Sequence, residues 1–127
     1  MKVNGTPYRA IWLSENTWTV EIIDQTKLPH EFIVAQLENL DQACIAIRDM
    51  WVRGAPLIGA TAAYGMALAM HGDPSVSGLK NAYAMLYATR PTAVNLRWAL
   101  DDLMVLLEPI KENQRRDAAY IRALEIA

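Results

Sequence analysis

A single cysteine, Cys44, and two histidines, His30 and His71, are all that this 127-residue chain offers to metal or redox chemistry. One cysteine excludes an internal disulfide framework and suits a reducing compartment such as the cytoplasm. The histidines stand in loop-like sequence with no cysteine or carboxylate at ligand spacing, so no metal centre is expected. Runs of like charge are missing as well. A net charge of −2 argues against a nucleic-acid surface, which needs clustered lysine and arginine. Arg115-Arg116, with Glu112 before and Asp117 after, reads as a solvated helix face. Met1 to Gly5 has neither a basic start nor an apolar run, so no secretory signal is expected. The longest apolar stretch, Pro56 to Met70, is shorter than the roughly 20 residues a bilayer span needs. It reads as a buried helix, and no membrane partner is expected.

Two nucleotide signatures are also lacking. No Gly-Lys-Ser or Gly-Lys-Thr occurs, and Arg53 to Gly59 lacks the second glycine and the preceding strand of a dinucleotide fingerprint. Cys44 lies in an apolar helical stretch, where a thiol behaves as a small core residue. Asp101 and Asp102 are adjacent, but adjacent helical side chains diverge by about 100°, which suits a surface better than acid–base work.

What is present is apolar and patterned. At 53% hydrophobic, residues 1–127 can fill one core. Tyr8 to Leu13 and Thr17 to Ile23 are β-branched and aromatic, and Ser14-Glu15-Asn16 between them is turn chemistry. Asp24 to Pro29 forms an irregular connection, and Glu31 to Leu37 supplies a third strand. Helical spacing then takes over: Asn39 with Gln42 begins a helix running through Val52. Further helices are predicted over Pro56 to Met70, Ser75 to Ala88, Pro91 to Leu107 and Asn113 to Ala127. The fold class is therefore α+β, a three-stranded antiparallel sheet within about 8–37 followed by about five helices within 40–127. Trp51 and Trp98 fit helical apolar spacing and read as core. The final helix carries no exit signal, so the chain reads as a domain cut from a longer protein.

Two arginines draw the functional reading. Arg53 precedes Gly54-Ala55-Pro56, and Arg90 precedes Pro91, so by this pattern each stands just ahead of a helix opened by proline. A helix start has unpaired N–H groups and a partial positive charge. A neighbouring guanidinium adds a planar fork that matches phosphate or carboxylate. Two such ends in one domain point to a phosphorylated small molecule. The bland alternative is that both arginines only bond backbone carbonyls or nearby carboxylates.

Three segments, Ile23 to Pro29, Ala46 to Ala60 and Thr89 to Leu96, resemble methylthioribose-1-phosphate isomerase. This family sits in a superfamily with the regulatory subunits of translation initiation factor 2B, and the likeness runs from about Tyr8 to the end. The resemblance implies an aldose–ketose isomerase of methionine salvage, cytoplasmic and without nucleotide or metal cofactor. It would convert 5-methylthioribose 1-phosphate to 5-methylthioribulose 1-phosphate. It places Arg53, Gly54, Ala55 and Arg90 on this sugar phosphate.

The family's catalytic cysteine lies in a Thr-His-Cys-Asn segment and its acid–base aspartate later still, both in a Rossmann-like second domain. Neither is present here, and Cys44 does not correspond to that cysteine. By resemblance, residues 1–127 are the N-terminal domain alone, with no catalytic residue of its own. Its partners would be the missing C-terminal domain and, through exposed apolar surface, a second copy in a homodimer. Two alternatives stay open: a ribose-1,5-bisphosphate isomerase, and a non-catalytic interaction domain like the initiation-factor subunits.

Overall fold

The computed structural model describes residues 2–3, 6–7, 10–27, 30–31 and 33–127, with side chains from Ala10 onward. Tyr8 and Arg9 of the first expected strand, Leu28-Pro29 of the connection and Phe32 of the third strand lie outside the described residues. A short pair, β1 (Lys2–Val3) and β2 (Thr6–Pro7), precedes the main sheet. That sheet has three antiparallel strands in the order β3 (Ile11–Leu13), β4 (Val20–Ile23), β5 (Val34–Leu37). Ile22 of β4 pairs with Ile11 on one side and Ala35 on the other. The turn between β3 and β4 is longer than Ser14 to Asn16, because Asn16 draws the next three residues into it. Its Oδ1 accepts from the Trp18 and Thr19 amides and the Thr19 hydroxyl, each at 3.0 Å. Thr17, inside this bracket, takes a left-handed φ of 69°, and β4 starts only at Val20.

Five helices come next: α1 (Leu40–Arg48), α2 (Ala55–Gly72), α3 (Val76–Thr89), α4 (Val94–Leu107) and α5 (Glu112–Ile126). Asn39 caps α1 by accepting from the Gln42 amide at 2.9 Å. Gln42 Oε1 accepts from the Glu38 amide at 2.6 Å, one residue beyond the N-cap amide of the reciprocal capping-box bond. The expected continuation of α1 to Val52 does not form. Met50 turns left-handed at φ 62°, the Met50 amide bonds Ile47 O, and the Trp51 amide bonds Ala46 O. That bond pair is a Schellman closure, with methionine where glycine is usual.

The centre of the domain is α2. Every residue from Ile58 to Met70 is buried, and the other four helices pack around it. Its small residues set the approach distances. A Cβ on Gly59 would lie 3.2 Å from the Asn95 carbonyl oxygen, and one on Gly65 would meet Leu86 and Ala43 at 3.0 and 3.2 Å. α2 is long, but no helix among the described residues is long and apolar enough to cross a membrane.

On α4, Leu96, Leu100, Leu103 and Leu107 are buried, whereas Trp98 is 54% exposed beside the exposed Val94 and Val105. The expectation of a core Trp98 is thus overturned. The buried stripe occupies one side of the helix, and position 98 falls on the other. Trp51 does pack against the core, partly buried.

The expectation of a solvated Arg115-Arg116 pair holds only for Arg116. Arg115 is 4% exposed and donates to three carbonyls: Leu107 at 2.9 Å, Pro74 at 3.0 Å and Glu108 at 3.1 Å. It closes the C-terminal end of α4 and ties α5 to the loop between α2 and α3.

Candidate anion-binding cleft

The first turns of α2 and α4 meet at a cleft of about 360 Å³. Arg53, Gly54 and Ala55 enter it from the start of α2, and Ala93, Val94 and Asn95 from the start of α4. Arg90, Met50 and Ile58 complete the lining. All four residues singled out in the sequence therefore share one cavity. Among the described residues no side chain caps either helix: the N-cap positions are Gly54 and Ala93. Gly54 has φ 91°, a conformation that an L side chain rarely adopts, although the space around it is open.

One expectation from the sequence is corrected. Pro91 does not open α4. Arg90, Pro91, Thr92 and Ala93 form a turn in which the Ala93 amide bonds the Arg90 carbonyl at 3.0 Å, and α4 starts at Val94. The fixed φ of proline serves the second position of a turn as well as the first of a helix. The helix start still reaches the cleft, through Val94 and Asn95 rather than Pro91. At α2 the expectation holds, with Pro56 in the first turn.

The loop that carries Arg53 is held against the end of the sheet. The Gln25 amide bonds the Trp51 carbonyl at 2.8 Å, and Arg53 Nη2 approaches the Gln25 carbonyl at a long 3.4 Å. Asp24 fixes that side by accepting from the Thr26 amide and hydroxyl. The Arg90 guanidinium has no hydrogen-bond or ion-pair partner among the described residues, and the residue is partly exposed. Among the described residues the lining holds two guanidiniums and no carboxylate, histidine or thiol. Such a lining is chemically suited to an anion.

The remaining candidates lie elsewhere and are structural. Asp102 makes a two-point pair with Arg122 at 2.7 and 3.0 Å, and Asp101 accepts from the Tyr83 hydroxyl at 2.5 Å. No cluster of metal-binding type occurs among the described residues. Cys44 is buried in α1, and burial, aided by the nearby Asp41 charge, pushes its thiol up to about 11. Burial likewise pushes Tyr120 up to about 12, and its hydroxyl donates to the Trp18 carbonyl at 2.6 Å.

These two groups make an alkaline prediction. Their ordinary values are 9.0 and 10.0, so between about pH 9 and 12 the unfolded chain sheds protons that the folded chain keeps. Stability should be fully present below pH 9 and decline as pH rises through that window. Urea midpoints measured from pH 8 to 11 should fall, and Cys44→Ala should make the decline shallower. Native chain whose thiol reacts with a disulfide reagent at pH 8 as fast as unfolded chain would contradict this.

No protein-family model matches the chain. Curated relatives do. The chain is 63% identical over 126 residues to methylthioribose-1-phosphate isomerase of Paramagnetospirillum magneticum, covering 99% of this chain. It is 54% identical over 127 residues to the protein of that name from Sinorhizobium medicae. In both cases the chain spans about 35% of the relative's length. Among solved structures, 5-methylthioribose 1-phosphate isomerase from Pyrococcus horikoshii superposes with a TM-score of 0.86 at 34% identity. That match covers 94% of this chain and 35% of the other. Translation initiation factor eIF-2B subunit delta from A. fulgidus gives 0.84 at 31% identity, covering 94% and 36%.

Proposed function

We propose that this chain, homologous over its whole length to about a third of the methylthioribose-1-phosphate isomerases, forms the phosphate-holding wall of such an enzyme. The observation that carries the reading is the convergence of two helix starts without a capping side chain and two arginines on one cleft, with no carboxylate among its described lining residues. Arg53 and Arg90 neutralise the phosphate of 5-methylthioribose 1-phosphate, and the amides of Gly54 and Ala55 bond its oxygens. The left-handed Gly54 lets the backbone approach closely.

This substrate needs such a grip. Phosphate on the anomeric oxygen blocks the free aldehyde through which sugar isomerases usually work, so the ring must be opened within the enzyme. Strong, fixed contacts at the phosphate hold C1 and C2 where proton-transfer groups can reach them. Those groups come from outside this cleft, in a second domain that residues 1–127 would meet as the N-terminal part of the enzyme. The setting would be the cytoplasm, with methionine salvage as the pathway.

The fold by itself also suits the initiation-factor subunit, which superposes almost as well. Sequence favours the isomerase: curated relatives of that name are 51–63% identical, against 31% for the factor subunit. A direct test uses the chain alone. Adding 5-methylthioribose 1-phosphate should shift the amide resonances of Gly54, Ala55 and Val94 while yielding no ketose product. Unmoved resonances would sink the phosphate site, and turnover by the isolated chain would sink the assignment of proton transfer to a second domain.

A further inference from the structure

We infer that Asn95 reads the sugar beside the phosphate and makes the cleft prefer a pentose 1-phosphate to a bare anion. The inference rests on the phosphate reading of this cleft. Hydroxyl groups on a sugar both donate and accept, so a sugar site needs at least one acceptor. Among the side chains of the described lining residues, the Arg53 and Arg90 guanidiniums only donate, and those of Met50, Ile58 and Val94 are apolar. Asn95 supplies the one side-chain oxygen among the described lining residues, together with an amide NH₂.

No structural task accounts for this asparagine. Near a helix start asparagine commonly caps, but the N-cap here is Ala93, two positions earlier. The Asn95 side chain has no hydrogen-bond partner among the described residues, although the residue is partly buried. Asparagine is also a poor helix former, so its place inside the first turn of α4 carries a small cost. A carboxylate of the same shape would suit the helix start better, yet it would repel the phosphate. Position is set firmly as well. The Asn95 carbonyl lies 3.2 Å from where a Cβ on Gly59 would stand, which seats the turn directly on α2 beside Arg53-Gly54-Ala55.

The test compares ribose 1-phosphate with inorganic phosphate, each titrated into the chain and followed by amide chemical shifts. Asn95→Ala should leave the Kd for inorganic phosphate within about twofold and raise that for ribose 1-phosphate about tenfold. Asn95→Gln, which keeps the acceptor on a longer stem, should restore part of the loss. Alanine raises helix propensity at this place, so the variant should keep its fold, with circular dichroism as the check. Equal losses for both ligands, or none for ribose 1-phosphate, would overturn the role of Asn95. Failure of the phosphate reading has a different signature: Arg53→Ala would then bind inorganic phosphate as well as the parent chain does.

Discussion

Alanine at Arg53 or at Arg90 should weaken binding of 5-methylthioribose 1-phosphate by the proposed full-length isomerase roughly tenfold to hundredfold, on the order of 1.5–3 kcal/mol for each charge-assisted contact. Lysine at either position should recover only part of this, because it keeps the charge and loses the planar fork. The double variant should depart from additivity, since both groups would hold one anion. Stability should hardly change. The Arg53 side chain makes one long contact to a carbonyl, and that of Arg90 makes none among the described residues, so neither guanidinium supports the fold by an evident short bond. Affinity and melting temperature therefore report separate things. An alanine variant that binds substrate normally but melts early would make that arginine a scaffold residue.

Arg115 should behave in the opposite way. Its guanidinium is buried and donates to the carbonyls of Leu107, Pro74 and Glu108. Arg115→Ala would leave these acceptors without their donor in a space too dry for easy replacement by water. Each such loss costs about 1–3 kcal/mol, so a total of about 3–5 kcal/mol is expected after partial relaxation. For a domain of this size that lowers Tm by roughly 10 °C or more. Arg115→Lys should recover a minority of the loss, because one ammonium cannot span three separated carbonyls. The neighbouring Arg116→Ala should sit within about 0.5 kcal/mol of the parent, as expected of an exposed residue whose one ion pair among the described residues is with the exposed Asp117. Similar melting curves for the two alanine variants would refute the role assigned to Arg115.

That contrast also shows where sequence patterns stop being informative. Arg115 and Arg116 sit in the same charged neighbourhood, and nothing in their spacing tells a buried guanidinium from a solvated one. The difference comes from carbonyls at the end of α4 and at Pro74, the latter far away in the chain. Trp98 misleads for a related reason. Val94, Trp98 and Val105 extend the apolar character of α4 around its circumference, and only packing decides which side is covered. The end of α1 is hidden because Met50 holds the left-handed position that glycine would have announced. By contrast, the five helices and three main strands are legible, since their periods differ and Asn39, Pro56 and Asn16 mark junctions. The cleft residues are legible from Arg53, Gly54 and Arg90, even though Pro91 belongs to a turn. Asn95 carries no local signal at all: its significance depends on what stands across from it.

The burial of α2 on all sides has a consequence for how the domain comes apart. A helix apolar around its whole circumference has no face to leave in water, so α2 gains its stability only when α1, α3, α4 and α5 are all in place. Losing any one of them would expose a strip of alanine, methionine and leucine. Partial opening is therefore costly, and the amides from Ile58 to Met70 should exchange with solvent only when the whole domain unfolds. Because the cleft opens at the first turn of this same helix, an anion bound there favours the folded state as a whole. Its binding should slow exchange across the core by a common factor, far beyond the residues it touches.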